Sequence, residues 1–141
     1  MKTIIDTATE AGQFTILLNA LKIGSLKDTL RAPGPYTLFA PTDAAFGRLA
    51  PGALSALLKD VRRLKVVLTQ HIVSGTLLAS NILPGGLKTV EGSSVTVSLE
   101  SSDIWVGGAK IIQPDIITSN GAMHAIDGII GLKATSLAAV A

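Results

Sequence analysis

Gly34-Pro35-Tyr36-Thr37-Leu38-Phe39-Ala40-Pro41-Thr42-Asp43-Ala44-Ala45-Phe46 is the stretch whose reading decides the fold. Pro33, Gly34 and Pro35 force a turn, and Tyr36 to Ala40 is a run of bulky and β-branched residues that reads as a strand. Helix restarts after Pro41: Thr42 supplies an N-cap hydroxyl, and Asp43 sits where the helix dipole favours negative charge. Phe39 and Phe46 are placed to anchor the strand and the following helix in one core, with Thr42 and Asp43 capping the junction.

Towards the N-terminus the apolar residues follow helical spacing. Ile4, Ile5 and Ala8, then Phe14, Leu17, Leu18 and Leu21, predict two short helices punctuated by Gly12 and Gly24, with Gly24 as a C′ residue. Ser25 is placed to cap a third, with Asp28 at N3, and Pro33 stops it near Ala32. On the other side, the spacing from Leu54 to about His71 predicts one helix. Leu57, Leu58, Val61, Leu64, Leu68 and Ile72 fall on or near one face, with Lys59, Arg62 and Arg63 mostly opposite. Beyond Gly75 the period becomes two. Val95, Val97 and Leu99 alternate with Thr96, Ser98 and Glu100, Gly92 and Gly107-Gly108 separate strands, and Ile111-Ile112 and Ile116-Ile117 flank Pro114. A last strand runs from about Met123 to Ile130. Helices first and antiparallel strands later predict an α+β domain.

Composition narrows the function more by exclusion than by assignment. The 141 residues suit one domain, residues 1–141, and 48% of them are apolar, enough for a core without staples. The absence of Cys removes disulfides, thiol catalysis and thiolate metal sites. A net charge of +2 gives no ground for nucleic-acid binding. Lys59, Arg62, Arg63 and Lys65 cluster locally; this reads as a solvated helix face, with an anionic partner such as a polysaccharide or lipid headgroup as the alternative. No window approaches the roughly 18 continuous apolar residues of a membrane span, and Asp6 and Glu10 interrupt any leader-like run. The chain therefore reads either as cytosolic or as a mature domain with an added start Met.

Catalytic patterns do not assemble. Two His, many Ser and ten carboxylates are available, yet there is no G-x-S-x-G elbow, no H-x-x-x-H pair, no Asp-rich calcium loop and no glycine-rich phosphate loop. His71 and His124 read as core or near-core histidines with satisfied ring nitrogens, tying the helical part to the sheet together with Asp43 or Asp127. Asn120-Gly121 reads as the turn that sets the register of the final strand. No cofactor or metal is expected, and no enzymatic activity.

Three segments carry a resemblance to the fasciclin domain family. The stretch from Gly34 to Phe46 resembles its first signature. Asn120-Gly121-Ala122-Met123-His124-Ala125-Ile126-Asp127-Gly128-Ile129-Ile130 resembles its second, and Gln70-His71-Ile72-Val73-Ser74-Gly75 resembles its centre, with Gln70 where the family has Tyr. Order and spacing agree over essentially the whole chain. The resemblance implies a small antiparallel β-sandwich or wedge with several helices packed on it. It marks Thr42, Asp43, His71, Asn120, His124 and Asp127 as signature positions.

The same resemblance implies a non-enzymatic adhesion module outside the cytoplasm: extracellular, periplasmic or on the cell surface. Its partner would be a cell-surface or matrix protein or glycan, and the chain would be a monomer or weakly self-associating. Animal matrix members carry an Asp-Ile pair implicated in integrin adhesion, matched by Asp115 and Ile116, and a Tyr-His pair half matched by His71. A loop carboxylate beside a core residue is the plainer reading of Asp115-Ile116. Ala122, Met123 and Ala125 replace β-branched residues and Gly131-Leu132 stands where a Pro is customary; with no N-x-[ST] sequon, the chain looks like a microbial secreted member. Some relatives bind carotenoids, so an apolar-ligand carrier is the second reading, matched by a mean hydropathy of +0.50.

Overall fold

The computed structural model describes residues 3–31, 35–48, 52–82, 84–90, 92, 94–100 and 103–130. Helix α1 (Ile4–Ala11) starts at Thr3, whose hydroxyl accepts the Asp6 N–H, and ends at Gly12 in the left-handed region. Helix α2 (Thr15–Ile23) closes one residue later than the sequence suggests. Gly24 has φ −81°, and Ser25 takes the left-handed conformation, φ 60°. The Ser25 N–H reaches the Lys22 carbonyl and the Leu26 N–H reaches that of Leu21, the paired bonds of a Schellman ending. Ser25 thus finishes α2 and does not cap α3 (Lys27–Arg31). Gly24 instead lies close to Leu68: a Cβ there would come within 3.3 Å of that side chain, which would have to give slightly. The Pro33-Gly34 part of the expected turn, and Gly131-Leu132, lie outside the described residues.

After strand β1 (Tyr36–Pro41), α4 (Asp43–Gly47) is capped by Thr42, whose Oγ1 accepts the Ala45 N–H at 3.2 Å. The predicted helix from Leu54 to His71 is two helices, α5 (Ala53–Lys59) and α6 (Val61–Thr69). Asp60 breaks it with φ −106° and ψ 86°, and its carboxylate caps α6 through the Arg63 N–H. Lys59 therefore shares no helix with Arg62 and Arg63, and Val61, expected on the buried face, is 44% exposed.

Strands β2 (Ile72–Ser74), β3 (Gly85–Lys88), β4 (Ser94–Glu100), β5 (Asp103–Val106), β6 (Ala109–Thr118) and β7 (Gly121–Ile126) complete one sheet ordered β2-β1-β7-β6-β5-β4-β3. The α+β class is as predicted. The sheet is mixed, however, because β1 and β7 run parallel, Phe39 opposite His124, while the other pairs are antiparallel. Gly107 and Gly108, at φ 58° and 87°, make the two-residue turn between β5 and β6. The turn before β7 is Ser119-Asn120, one residue earlier than Asn120-Gly121. Gly121 instead opens β7 at φ 148°, where a Cβ would overlap the Tyr36 carbonyl of β1. β7 ends at Ile126, short of the predicted Ile130.

Two apolar cores lie on the two faces of the β1–β7 pair. Leu38 and Ala40 of β1, with Met123 and Ala125 of β7, join the helical core of Phe14, Leu17, Leu21, Phe46, Leu64 and Leu68. Phe39 and Ile126 point the other way, into a second core with Val73, Val95, Val97, Val106 and Ile111. Residues from both ends of the strand order thus meet in one cluster, so the sheet folds over itself as a wedge. A hydrogen bond from the Val90 N–H, just past β3, to the Ile72 carbonyl of β2 draws the ends together. Leu99 departs from its predicted alternation and is half exposed.

Candidate functional site

Strand β6 cannot stay regular, because Pro114 has no N–H to give to the ladder. Its pairing with β7 shifts register between Ile111 and Gln113 and again between Gln113 and Ile116. Within the second irregularity Asp115 takes φ 57°, a conformation that Asp tolerates better than most residues. Gln113, Pro114 and Asp115 are consequently exposed. Ile116 turns partly inward against the helical core, while Ile112 and Ile117 are 50% and 51% exposed.

His124, fully buried beneath this bulge, holds it in place. Its Nδ1 accepts the Asp115 N–H at 3.0 Å, so Nε2 carries the proton and donates to the Leu77 carbonyl at 2.7 Å. The Asp115 carboxylate returns to the same loop, accepting the Ala79 N–H at 2.7 Å. The imidazole lies stacked on Phe39 with ring centroids 5.6 Å apart. Burial pushes the His124 pKa below its ordinary value, opposed by the Leu77 carbonyl and the negative Asp115. The ring is a neutral brace between β7, the β6 bulge and the loop after β2.

His71 is braced with the opposite tautomer. Its Nε2 accepts the Ile130 N–H at 2.9 Å, so Nδ1 donates to the Val67 carbonyl at 2.8 Å. Burial lowers its pKa to about 4, with the Val67 bond opposing. This histidine joins the end of α6 to the segment after β7. It is 1% exposed, so it offers no surface to a partner.

The remaining signature residues are fasteners, each at its own joint. The Asn120 side chain accepts the Ile4 N–H at 3.0 Å and donates to the Leu30 carbonyl at 2.6 Å, binding α1 and α3 to the β6–β7 turn. Asp43 begins α4 but serves α2, accepting the Ile16 N–H at 2.8 Å and the Thr15 hydroxyl at 2.7 Å. Asp127 exchanges two bonds with the Lys110 backbone just past β7 and meets Arg48 at 3.6 Å, while Arg48 also donates to the Asp127 carbonyl. The predicted partnership of the histidines with Asp43 or Asp127 is therefore replaced. Both ring nitrogens of each histidine go to main-chain atoms and the two acids act elsewhere.

This arrangement is mechanical in character. A general base needs a free ring nitrogen, and neither histidine has one. Among the described residues no group of three His, Asp or Glu side chains is arranged to hold a metal ion. No helix among them is long and apolar enough to cross a membrane. Sequence reasoning missed Leu77, Ala79 and Arg48, which act through backbone groups or a lone guanidinium and carry no motif of their own.

A wedge of strands whose first and last members run side by side, pinned by these signature residues, places the chain in a known class. The model of the Fasciclin domain matches residues 12–132, and the chain belongs to that family. Protein sll1735 of Synechocystis sp. is 35% identical over 131 residues, covering 92% of this chain and 98% of that protein. Immunogenic protein MPB70 of Mycobacterium bovis is 34% identical over 124 residues, covering 88% of this chain and 60% of its own length. Transforming growth factor-beta-induced protein ig-h3 of Oryctolagus cuniculus is 31% identical over 129 residues, covering 91% of this chain but 19% of that protein. The fold is shared with a FAS1 domain pair from the insect cell adhesion molecule Fasciclin I, at a TM-score of 0.70 and 17% identity, covering 92% of this chain and 50% of that one.

Proposed function

We propose that the chain, as a single domain over residues 1–141, is a non-enzymatic adhesion module working outside the cytoplasm. Its partner in this reading is a cell-surface or matrix protein or glycan, not nucleic acid. The observation that carries it is the β6 bulge: an exposed Asp115 carboxylate between two half-exposed isoleucines, Ile112 and Ile117, on backbone held by His124. A rigid ridge joining one charge to apolar surface loses little entropy on binding. The adhesion role of Fasciclin I supports the same reading. One such patch is small, so a monomeric or weakly self-associating chain gains strength when displayed in many copies.

The test is retention of cells or matrix components on a surface coated with the chain. Asp115→Asn removes the charge while keeping an oxygen for the Ala79 N–H, and Ile117→Ser removes an exposed apolar contact. Together they should reduce retention at least about tenfold with the melting temperature nearly unchanged. Equal retention by the double variant would remove the ridge as the binding surface. The carrier reading gains nothing from the structure, because most of the described aliphatic residues behind the high mean hydropathy are used in the two cores.

A further inference from the structure

We propose a second interaction surface, on helix α6 and the end of α5, that docks the domain on an anionic lipid bilayer. Residues 59–65 hold four cations, Lys59, Arg62, Arg63 and Lys65, against the single acid Asp60. All four are exposed, and none is paired with a carboxylate among the described residues, where the ion pairs are Arg48 with Asp127 and Lys110 with Asp103. The Asp60 carboxylate accepts the Arg63 N–H as the cap of α6, and with its charge counted against the four cations the segment keeps a net excess of positive charge. The inner face of α6 is fixed by buried Leu64, Val67 and Leu68, which sends Arg62 and Val66 to the outer face and leaves the exposed Lys65 on the flank, its stem beside Gly24 at the end of α2.

Val66 decides the kind of partner. It lies three and four residues after Arg63 and Arg62, on the same outer surface, and is 40% exposed; Val61, at the start of the helix, is 44% exposed. Cations alone would suit any polyanion. An apolar side chain among them suits a bilayer interface, where lipid headgroups meet the charges and Val66 reaches towards the acyl boundary, whereas a hydrated acidic polysaccharide offers nothing apolar to meet it. This surface is on other elements than the β6 bulge and does not depend on the adhesion reading.

The experiment is co-sedimentation of the full chain with phosphatidylcholine vesicles containing about one quarter phosphatidylserine, against pure phosphatidylcholine vesicles. Binding should require the anionic lipid and weaken as salt is raised. Arg62→Glu with Arg63→Glu should lower the partition coefficient at least about tenfold, and Val66→Ser about twofold or more. Because these side chains are exposed, the variants should melt with wild type, which circular dichroism checks. Three results would overturn the proposal: no binding to either vesicle, equal binding to both, or binding that needs the arginines but ignores Val66→Ser. The last would mark a general polyanion site instead.

Discussion

At the scale of single residues, the two buried histidines make the fold sensitive to acid. His71 is neutral in the folded chain, with a pKa of about 4, against about 6.5 when unfolded. Between those values the unfolded state binds the extra proton and the folded state does not, so stability falls as the pH falls. The contribution is complete above about pH 6.5 and is lost through the window down to about 4, a swing on the order of 3 kcal/mol. His124 is shifted in the same direction and adds to it. Urea unfolding at pH 7 and pH 4.5 should therefore give a clear loss in the wild type. In His71→Gln, less stable at neutral pH because its backbone partners are left poorly matched, the further loss on acidification should shrink by the His71 share, with that of His124 remaining. An unchanged pH slope would place the acid sensitivity elsewhere. The sequence made both histidines legible as satisfied core residues, since they stand inside signature stretches. Their partners were not legible, because the Leu77, Val67 and Ile130 groups are main-chain atoms that carry no mark of residue type. The left-handed Asp115 was hidden for a similar reason: Pro114 announces a break in β6 but not the residue that absorbs it.

Among the elements, the junction after β1 does more than its own sequence implies. Thr42 caps α4 by a local bond that can be read three residues ahead. Asp43 instead reaches back across 28 residues to cap α2, whose own N-cap position, Phe14, has no side chain able to do so. Asp43→Ala should cost about 1–2 kcal/mol and raise amide hydrogen exchange at the start of α2, around Ile16 and Leu17, more than within α4. Thr42→Ala should show the reverse pattern. Equal loosening of both helices in either variant would mean that the junction melts as one piece and that the separate caps have no separate effect. Periodicity, capping residues and bulky or β-branched runs made most helices and β1, β4 and β7 legible. Periodicity missed the break at Asp60, since the apolar spacing continues through it, and it missed β3, whose Gly85-Gly86-Leu87-Lys88 is an exposed edge with no alternation to detect. The parallel pairing of β1 with β7 joins residues 85 apart in the chain, as in Phe39 with His124, beyond what any local pattern encodes.

For the whole molecule, the decisive feature is that β1 and β7 are buried on both faces. Ala122, Met123 and Ala125, which stand where the family has β-branched residues, are fully buried, and the two alanines suit a strand pressed from both sides. Alternate residues of the same two strands enter different cores: Leu38 and Met123 the helical one, Phe39 and Ile126 the one inside the wedge. Neither core can lose its packing without stripping a face from strands that the other requires. The domain should therefore unfold in one cooperative step although it has two hydrophobic clusters. Trp105, the only tryptophan, lies half-buried in β5 between Ile104 and Val106, which enter the wedge core, so its fluorescence reports the loss of β5 from that side of the molecule, while far-ultraviolet circular dichroism is dominated by the helices around the other core. The two signals should share one midpoint in urea, and Phe39→Leu, a change confined to the wedge side, should move both midpoints together by the same amount. A fluorescence transition that precedes loss of helix would show the wedge opening by itself, and the shared strands would then be a boundary between two folding units and not the link that makes them one.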